Sequence, residues 1–427
     1  MNRMLPARVL RGFVMLLTLP TGLVAQSAGS LSWEQVKARF EATNPTLHAD
    51  ALSIDELKAA EVTAYLRPNP QYSFAADGTQ IAPSKGIWQP LTGTQYQNTL
   101  SYLHERAHKR ELRQQTAEAA TSVASSQHED LRRNLLFTLR TAFINTLIAS
   151  QARHLAQADL EYYDKIIEAS QARFKAGDLA QIDLDRIELL RVQYESAAEQ
   201  AKVDLRTAKI QLLQLLNDRT PVDSFEVSGN VDAAAELKSS DELHKIALDS
   251  RPDLAAAIEA IRQSELSHKL AVANGSTDPT ISGWTTTNPS TNNPNASQTV
   301  GLSVSIPLRI FDRNQGEKQR TAIDVERSRS QSDAARSQVF ADVDAARAQL
   351  ETALNLLKPY QQKYSAQALR VRDTETYAYQ HGGASLLEFL NAQSDARTVE
   401  LARLQLTGAV LNAAAQLNLA VGREVLP

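Results

Sequence analysis

The tetrapeptide Phe174-Lys175-Ala176-Gly177 returns about 205 residues later as Tyr379-Gln380-His381-Gly382, and this pair decides how the rest of the chain is read. At the same offset Ile182-Asp183-Leu184 meets Leu387-Glu388-Phe389, and Leu216-Asn217 meets Val421-Gly422. Between these landmarks Leu184, Ile187, Arg191, Tyr194, Ala198, Ala201, Leu205, Ala208, Leu212 and Leu215 step by threes and fours. The offset carries them onto Phe389, Ala392, Ala396, Val399, Arg403, Leu406, Val410, Ala413, Leu417 and Ala420. Each series is an apolar or small helical stripe broken by one arginine, and each begins just past a glycine turn. The chain is a duplication.

Working outward, each half opens on a capping-box pattern, Ser32-x-x-Gln35 and Ser239-x-x-Glu242, followed by Asn44-Pro45 and Arg251-Pro252. Asn69-Pro70 corresponds to Asp278-Pro279 with a shift of a few residues. The expected layout is a signal peptide at 1–28, a first repeat at 29–217 and a second at 239–427. Residues 218–238, with Pro221, Gly229 and alternating charges, read as the linker between them. Each repeat is predicted to run helix, strand, loop, strand, long helix, glycine turn, helix.

The strands are expected as β-hairpins at 70–103 and 279–308. Val300, Leu302, Val304, Ile306 and Leu308 alternate with Gly301, Ser303 and Ser305, a period-2 ribbon of about ten residues, enough to cross a bilayer when tilted. Its partner carries Ile281 and Trp284; in the first half Tyr72, Phe74 and Ala76 alternate on one strand, and Tyr96, Leu100 and Tyr102 lie on its partner. Four strands do not close a barrel, and an open sheet in lipid leaves its edges unpaired. Membrane residence and trimerisation, three copies supplying twelve strands, therefore form one hypothesis.

Between Pro90 and Pro221 no proline occurs, so a helix from about His104 to Lys175 is allowed, roughly 100 Å long at 1.5 Å per residue. The second half repeats this from Gly316 to His381 with a kink expected at Pro359. Stripes spaced by threes and fours indicate coiled-coil packing. The fold class is mixed and mainly α.

Of 427 residues, 45 are Lys or Arg and 49 Asp or Glu, a net charge of −4 that implies no nucleic-acid surface. Cysteine is absent, which excludes disulfides, thiolate metal sites and a lipid-modified N-terminal cysteine. Residues 1–28 combine Arg3, Arg8 and Arg11 with the apolar run Phe13 to Ala25 and the small-x-small pattern Ala25-Gln26-Ser27, which reads as a secretory signal. Past it no apolar stretch is long enough for a membrane-spanning helix. No hydrolase, phosphate-loop, zinc-protease or dinucleotide motif is present, so an enzyme is not expected, and no cofactor. His104 and His108 share i, i+4 spacing without a third ligand, and surface histidines are the plainer reading.

More telling are the turns. Tyr379, Glu388 and Asp183 lie beside the glycines where the helical hairpins reverse. Asp183 and Glu388 read either as solvated acids at helix starts, favoured by the macrodipole, or as rings of charge around a narrow mouth once three copies assemble.

The signal peptide, the duplicated strand–helix half and the run Ser305-Ile306-Pro307-Leu308-Arg309-Ile310-Phe311-Asp312-Arg313-Asn314-Gln315-Gly316 together resemble the TolC-like outer-membrane efflux family. The last six residues are most similar to its heavy-metal and multidrug branch. The resemblance implies a homotrimer whose twelve-stranded barrel lies in outer-membrane lipid and whose helical barrel hangs into the periplasm. It implies an exit duct for metal cations or small toxic compounds, fed by an inner-membrane RND transporter through a periplasmic adaptor. It places Glu388 on the first acidic-ring position and Asn391 on the second, where the acid is missing. Tyr379 falls on the tip tyrosine, Asp183 on its usual partner, and Ala384 replaces a closing arginine. Gly177, Gly382 and Gly383 mark the tip turns expected to dock the adaptor. A type I secretion duct and a poreless periplasmic coiled-coil scaffold remain the alternatives.

Overall fold

Matched pairs of hydrogen bonds recur at corresponding places in the two expected repeats. The computed structural model describes residues 30–231, 237–288, 293 and 295–426; the expected signal peptide, Pro289, Pro294 and residues 232–236 of the expected linker lie outside them. Ser32 and Gln35 close a capping box at the start of α1 (Trp33–Thr43), and Asn44 caps α2 (Pro45–Tyr65). In the second repeat Ser239 caps α5 (Ser240–Ser250), and Arg251 precedes α6 (Pro252–Asn274). The expected capping box forms only by half there, because the Glu242 carboxylate turns to Lys238, 2.6 Å away.

At the break between the paired helices, Thr43 Oγ1 donates to the Leu216 carbonyl at 2.8 Å and Ser250 Oγ to the Val421 carbonyl at 2.7 Å. One residue on, Asn44 Nδ2 reaches Leu215 O at 3.5 Å and Arg251 Nη1 reaches Ala420 O at 3.2 Å. These bonds satisfy carbonyls that the end of a helix leaves unpaired. The same helix ends turn through left-handed backbone at Asn217 (φ 49°) and Gly422 (φ 86°), which explains why asparagine and glycine align there.

The long helices follow. α3 (Lys109–Ala176, 68 residues) runs unbroken, roughly 100 Å at 1.5 Å per residue, and α4 (Gln181–Leu215) returns along it. α3 starts five residues later than expected, because Ala107 and His108 both take left-handed backbone. His104 therefore lies outside the helix, and the two histidines do not share a helical face.

In the second repeat α7 (Gln315–Pro359) passes through a π turn at Tyr360–Tyr364 into α8 (Ser365–Gln380), and α9 (Leu386–Val421) returns. The expected kink at Pro359 is this π turn: proline donates no ladder bond and crowds the turn before it, so the helix widens rather than ends.

Two apolar cores hold the rods at mid-length. One joins Val36 and Phe40 of α1 to Leu139 and Phe143 of α3 and Leu212 of α4. The other joins Leu243 and Ala247 of α5 to Val343 and Leu350 of α7 and Leu417 of α9. Each fully buried leucine contributes about 1.5–3 kcal/mol. Phe225, from the segment between the repeats, is buried in the first core, and Leu31 bridges to Val227 beside it.

The two hairpins join edge to edge. β1 (Gln71–Asp77), β2 (Gln95–Leu103), β3 (Thr280–Thr287) and β4 (Gln298–Ser305) form one antiparallel sheet in that order. β1 and β4 are its edges.

Candidate functional site

Register decides what the sheet can face. Tyr72 pairs with Leu100, Leu100 with Gly283, and Gly283 with Leu302; likewise Tyr102 pairs with Ile281 and Ile281 with Val304. Because side chains alternate, Tyr72, Phe74, Tyr96, Leu100, Tyr102, Ile281, Val300, Leu302 and Val304 share one face. Val300 and Leu302 are 84% and 86% exposed on it. The opposite face carries Gln71, Ser73, Gln97, Thr99, Ser101, Ser282, Thr286, Thr299 and Ser303, all polar. Ile281 and Trp284, quoted together from the sequence, thus point to opposite sides. Trp284 crosses to its pairing partner Gly301, where an added Cβ would meet the indole at 2.3 Å. A sheet with one mainly apolar face, interrupted by Asn98, Thr285, Thr287 and Gln298, and one mainly polar face suits a wall between lipid and water.

At the far end of the rods the reversing turns carry the other candidate site. α3 ends in Gly177 (φ 84°), and the turn after α8 passes through Gly382 (φ 77°) and Gly383. No substituent at Gly177 or Gly382 would meet a neighbour within 4 Å, so their backbone conformation, not crowding, calls for glycine. Ser385 caps α9, its Oγ accepting from the Glu388 N–H at 3.3 Å while Glu388 Oε2 accepts from the Ser385 N–H at 2.8 Å. Donation to Glu388 Oε2 from the Ser385 N–H and from the Ser385 hydroxyl, both at 2.8 Å, holds the exposed carboxyl below the usual carboxylate range. Asn391 is exposed one helical turn further along α9.

Tyr379 stacks on Phe389 with centroids 4.8 Å apart, and the Arg173 guanidinium lies 5.1 Å from the Tyr379 ring centre. Among the described residues the buried Tyr379 hydroxyl has no hydrogen-bond partner; burial raises its pKa, the Arg173 charge opposes this, and the Asp183 charge adds to it. Asp183, in the first turn of α4, lies 3.7 Å from Arg186. The tip thus brings Tyr379, Arg173 and Asp183 within electrostatic reach, with no hydrogen bond between Tyr379 and Asp183 among the described residues.

A polar cluster that the sequence did not disclose ties the two hairpins together above the tips. The buried Gln393 of α9 donates to Tyr162 Oη and to Thr376 Oγ1, both at 3.0 Å. Nearby Arg397 lies 3.5 Å from Asp159 of α3 and caps the Tyr194 ring at 4.6 Å. Burial pushes the Asp159 carboxyl up, against the pull of Arg397 and Arg372. A glutamine beside the apolar stripe, at the step after Ala392, was the available signal; its partners lie more than 200 residues away or on another helix.

Among the described residues no group of three or more His, Asp or Glu side chains is arranged to hold a metal ion, and no helix is long and apolar enough to cross a membrane.

Residues 243–423 match the family described as outer membrane efflux protein. The chain is 22% identical to the cobalt-zinc-cadmium resistance protein CzcC of Cupriavidus metallidurans, over 93% of this chain and 91% of CzcC. It is 26% identical to the outer membrane protein TolC of Escherichia coli, over 69% of this chain and 63% of TolC. The solved structure of CusC superposes with a TM-score of 0.75 over 92% of both chains at 18% identity. Over residues 243–423 the chain thus matches the outer membrane efflux protein family, and along most of its length it is similar to CzcC and TolC in sequence and to CusC in fold.

Proposed function

We propose that this protein is the outer-membrane exit duct of a tripartite efflux system. The observation that carries the reading is the two-faced sheet: a mainly apolar face in register across four strands, a mainly polar face behind it, and two edges, β1 and β4, without partners among the described residues. An open edge is not tolerated in hydrocarbon, and four strands are half of the smallest usual outer-membrane barrel of about eight. Three copies joined edge to edge close a barrel of twelve strands, with the polar faces lining water. The helices then hang into the periplasm, and the turns at Gly177 and Gly382-Gly383 form its far mouth.

Energy for transport comes from an inner-membrane RND pump, and a periplasmic adaptor docks at the helical tips. The relative named for cobalt, zinc and cadmium resistance supports metal cations as cargo. Glu388 and Asp183 at the mouth add negative charge, which favours cations there. The duct itself performs no chemistry.

The test is conductance in planar bilayers together with recovery of a heat-sensitive trimer from outer-membrane fractions. A water-soluble monomer without conductance would return the protein to the class of periplasmic scaffolds.

A further inference from the structure

At the helical end of the sheet the exposed apolar face runs into a concentration of positive charge that the export reading does not use. Past β4 the chain continues Ile306, Leu308 and Ile310 in the same alternation, all exposed, and Phe311 beside them is 89% exposed. Arg309 and Arg313 are interleaved with this run. Across the sheet a cavity of about 310 Å³ at the end of β2 is lined by Arg67, Tyr102, His104, Arg106, His108 and Arg110, and also by Glu105 and Glu111, whose carboxylates pair with Arg113 and Arg110. Tyr102 belongs to the apolar face, so the cavity adjoins the lipid side.

The framework of this cavity is fixed. His104 N–H donates to Pro279 O at 2.9 Å, Arg106 N–H donates to Asp278 at 2.9 Å, and the buried Lys109 donates to Asp278 at 2.5 Å. Lys109 and Arg110 are consumed by Asp278 and Glu111, whereas the guanidinium groups of Arg67, Arg106, Arg309 and Arg313 have no carboxylate within 4 Å among the described residues. The opposite end of the sheet is different. Its loops at 78–94 and 288–297 contain one basic residue, Lys85, in a chain whose net charge is negative.

We propose that this collar binds the phosphate groups of anionic glycerophospholipids in the leaflet nearest the helices, with one headgroup seated in the cavity at the end of β2. Guanidinium groups pair with phosphate through two parallel hydrogen bonds, and each basic residue near an anionic surface adds about tenfold or less to binding. Tyr102 and Phe311 supply aromatic rings at the depth where such rings settle. The inference rests on the strands spanning the membrane.

The experiment uses the full-length protein in neutral detergent, with native mass spectrometry counting retained phosphatidylglycerol, phosphatidylethanolamine and lipid A. Phosphatidylglycerol should be retained about tenfold more strongly than phosphatidylethanolamine, and R67Q/R106Q should remove that preference. Conductance of the same samples shows whether they are folded and inserted. Should the double variant fail to insert, Arg67→Gln alone, an exposed side chain without a polar partner among the described residues, decides the matter. Equal retention of both phospholipids by an inserted, conducting wild type overturns the collar and leaves the duct standing. So does a preference for lipid A alone, or one unchanged in the arginine variants. Failure of the wild type to insert at all overturns both.

Discussion

Ser385 and Glu388 hold each other's backbone: the serine hydroxyl accepts from the Glu388 N–H, and the glutamate carboxylate accepts from the Ser385 N–H at 2.8 Å. One side chain thus starts α9 and presents charge at the proposed mouth. Glutamine also completes a capping box, so E388Q separates the two jobs where alanine cannot. Both E388Q and Glu388→Ala should lower cation preference in bilayer recordings, and the alanine variant should also raise conductance. Only Glu388→Ala should speed amide exchange in the first turn of α9. The sign of its titration is set: a lowered carboxyl gives stability present above its unfolded value and lost as pH falls through the folded one. Selectivity unaltered in E388Q removes the charge from the gate.

The two faces of β4 make opposite forecasts. Leu302→Arg puts a cation on the apolar face and should cost about 2–4 kcal/mol near mid-membrane, abolishing the heat-sensitive trimer. Ser303→Arg, next along the strand, should assemble and shift selectivity toward anions. Equal tolerance of both, measured by gel mobility and conductance, contradicts the assignment of faces.

Gly301 exists for Trp284. With an added Cβ 2.3 Å from the indole, Gly301→Ala forces the ring aside at about 1–3 kcal/mol. A lower temperature of trimer dissociation is expected. Gly283→Ala, where the added carbon meets only the flexible end of Leu302 at 3.3 Å, should be milder.

Asp159 gives the protein a pH response. Its buried carboxyl has a raised pKa, so the folded state holds that proton more tightly than the unfolded chain. Its contribution is greatest below the ordinary carboxylate pKa and diminishes as pH rises through the raised value. Asp159→Asn should flatten that part of the stability curve. Parallel melting curves across pH 4 to 7 for both proteins show whether it does; coincident slopes rule the idea out.

Thr43 and Ser250 should behave as twins. Removing either hydroxyl leaves one helix-end carbonyl short of a partner, at about 1 kcal/mol each. Because the two cap different helix ends, on the Leu216 and Val421 carbonyls, and share no partner, the double alanine variant should lose the sum. Denaturant titration measures all three.

Much of this was readable beforehand because duplication repeats every cue. Gly177 and Gly382 could be matched by eye, and the φ values at both explain the match. The strand faces were half legible: alternation in Val300–Val304 was plain, but Trp284 looked equivalent to Ile281 until register separated them. The early start given to α3 failed because nothing in Ala107-His108 advertises left-handed backbone. The tie through Gln393 was hidden because a hydrogen bond between α3 and α9 depends on how distant rods lie together, which local pattern does not encode.

One asymmetry between the repeats remains. The first sends a single unbroken rod from sheet to tip, and the second interrupts its counterpart with a widened turn after Pro359. In a ring of such staves, stiff and jointed members would alternate. Any loosening of the mouth would then begin at every other stave, and the symmetry of the aperture would drop from six to three before its diameter changed.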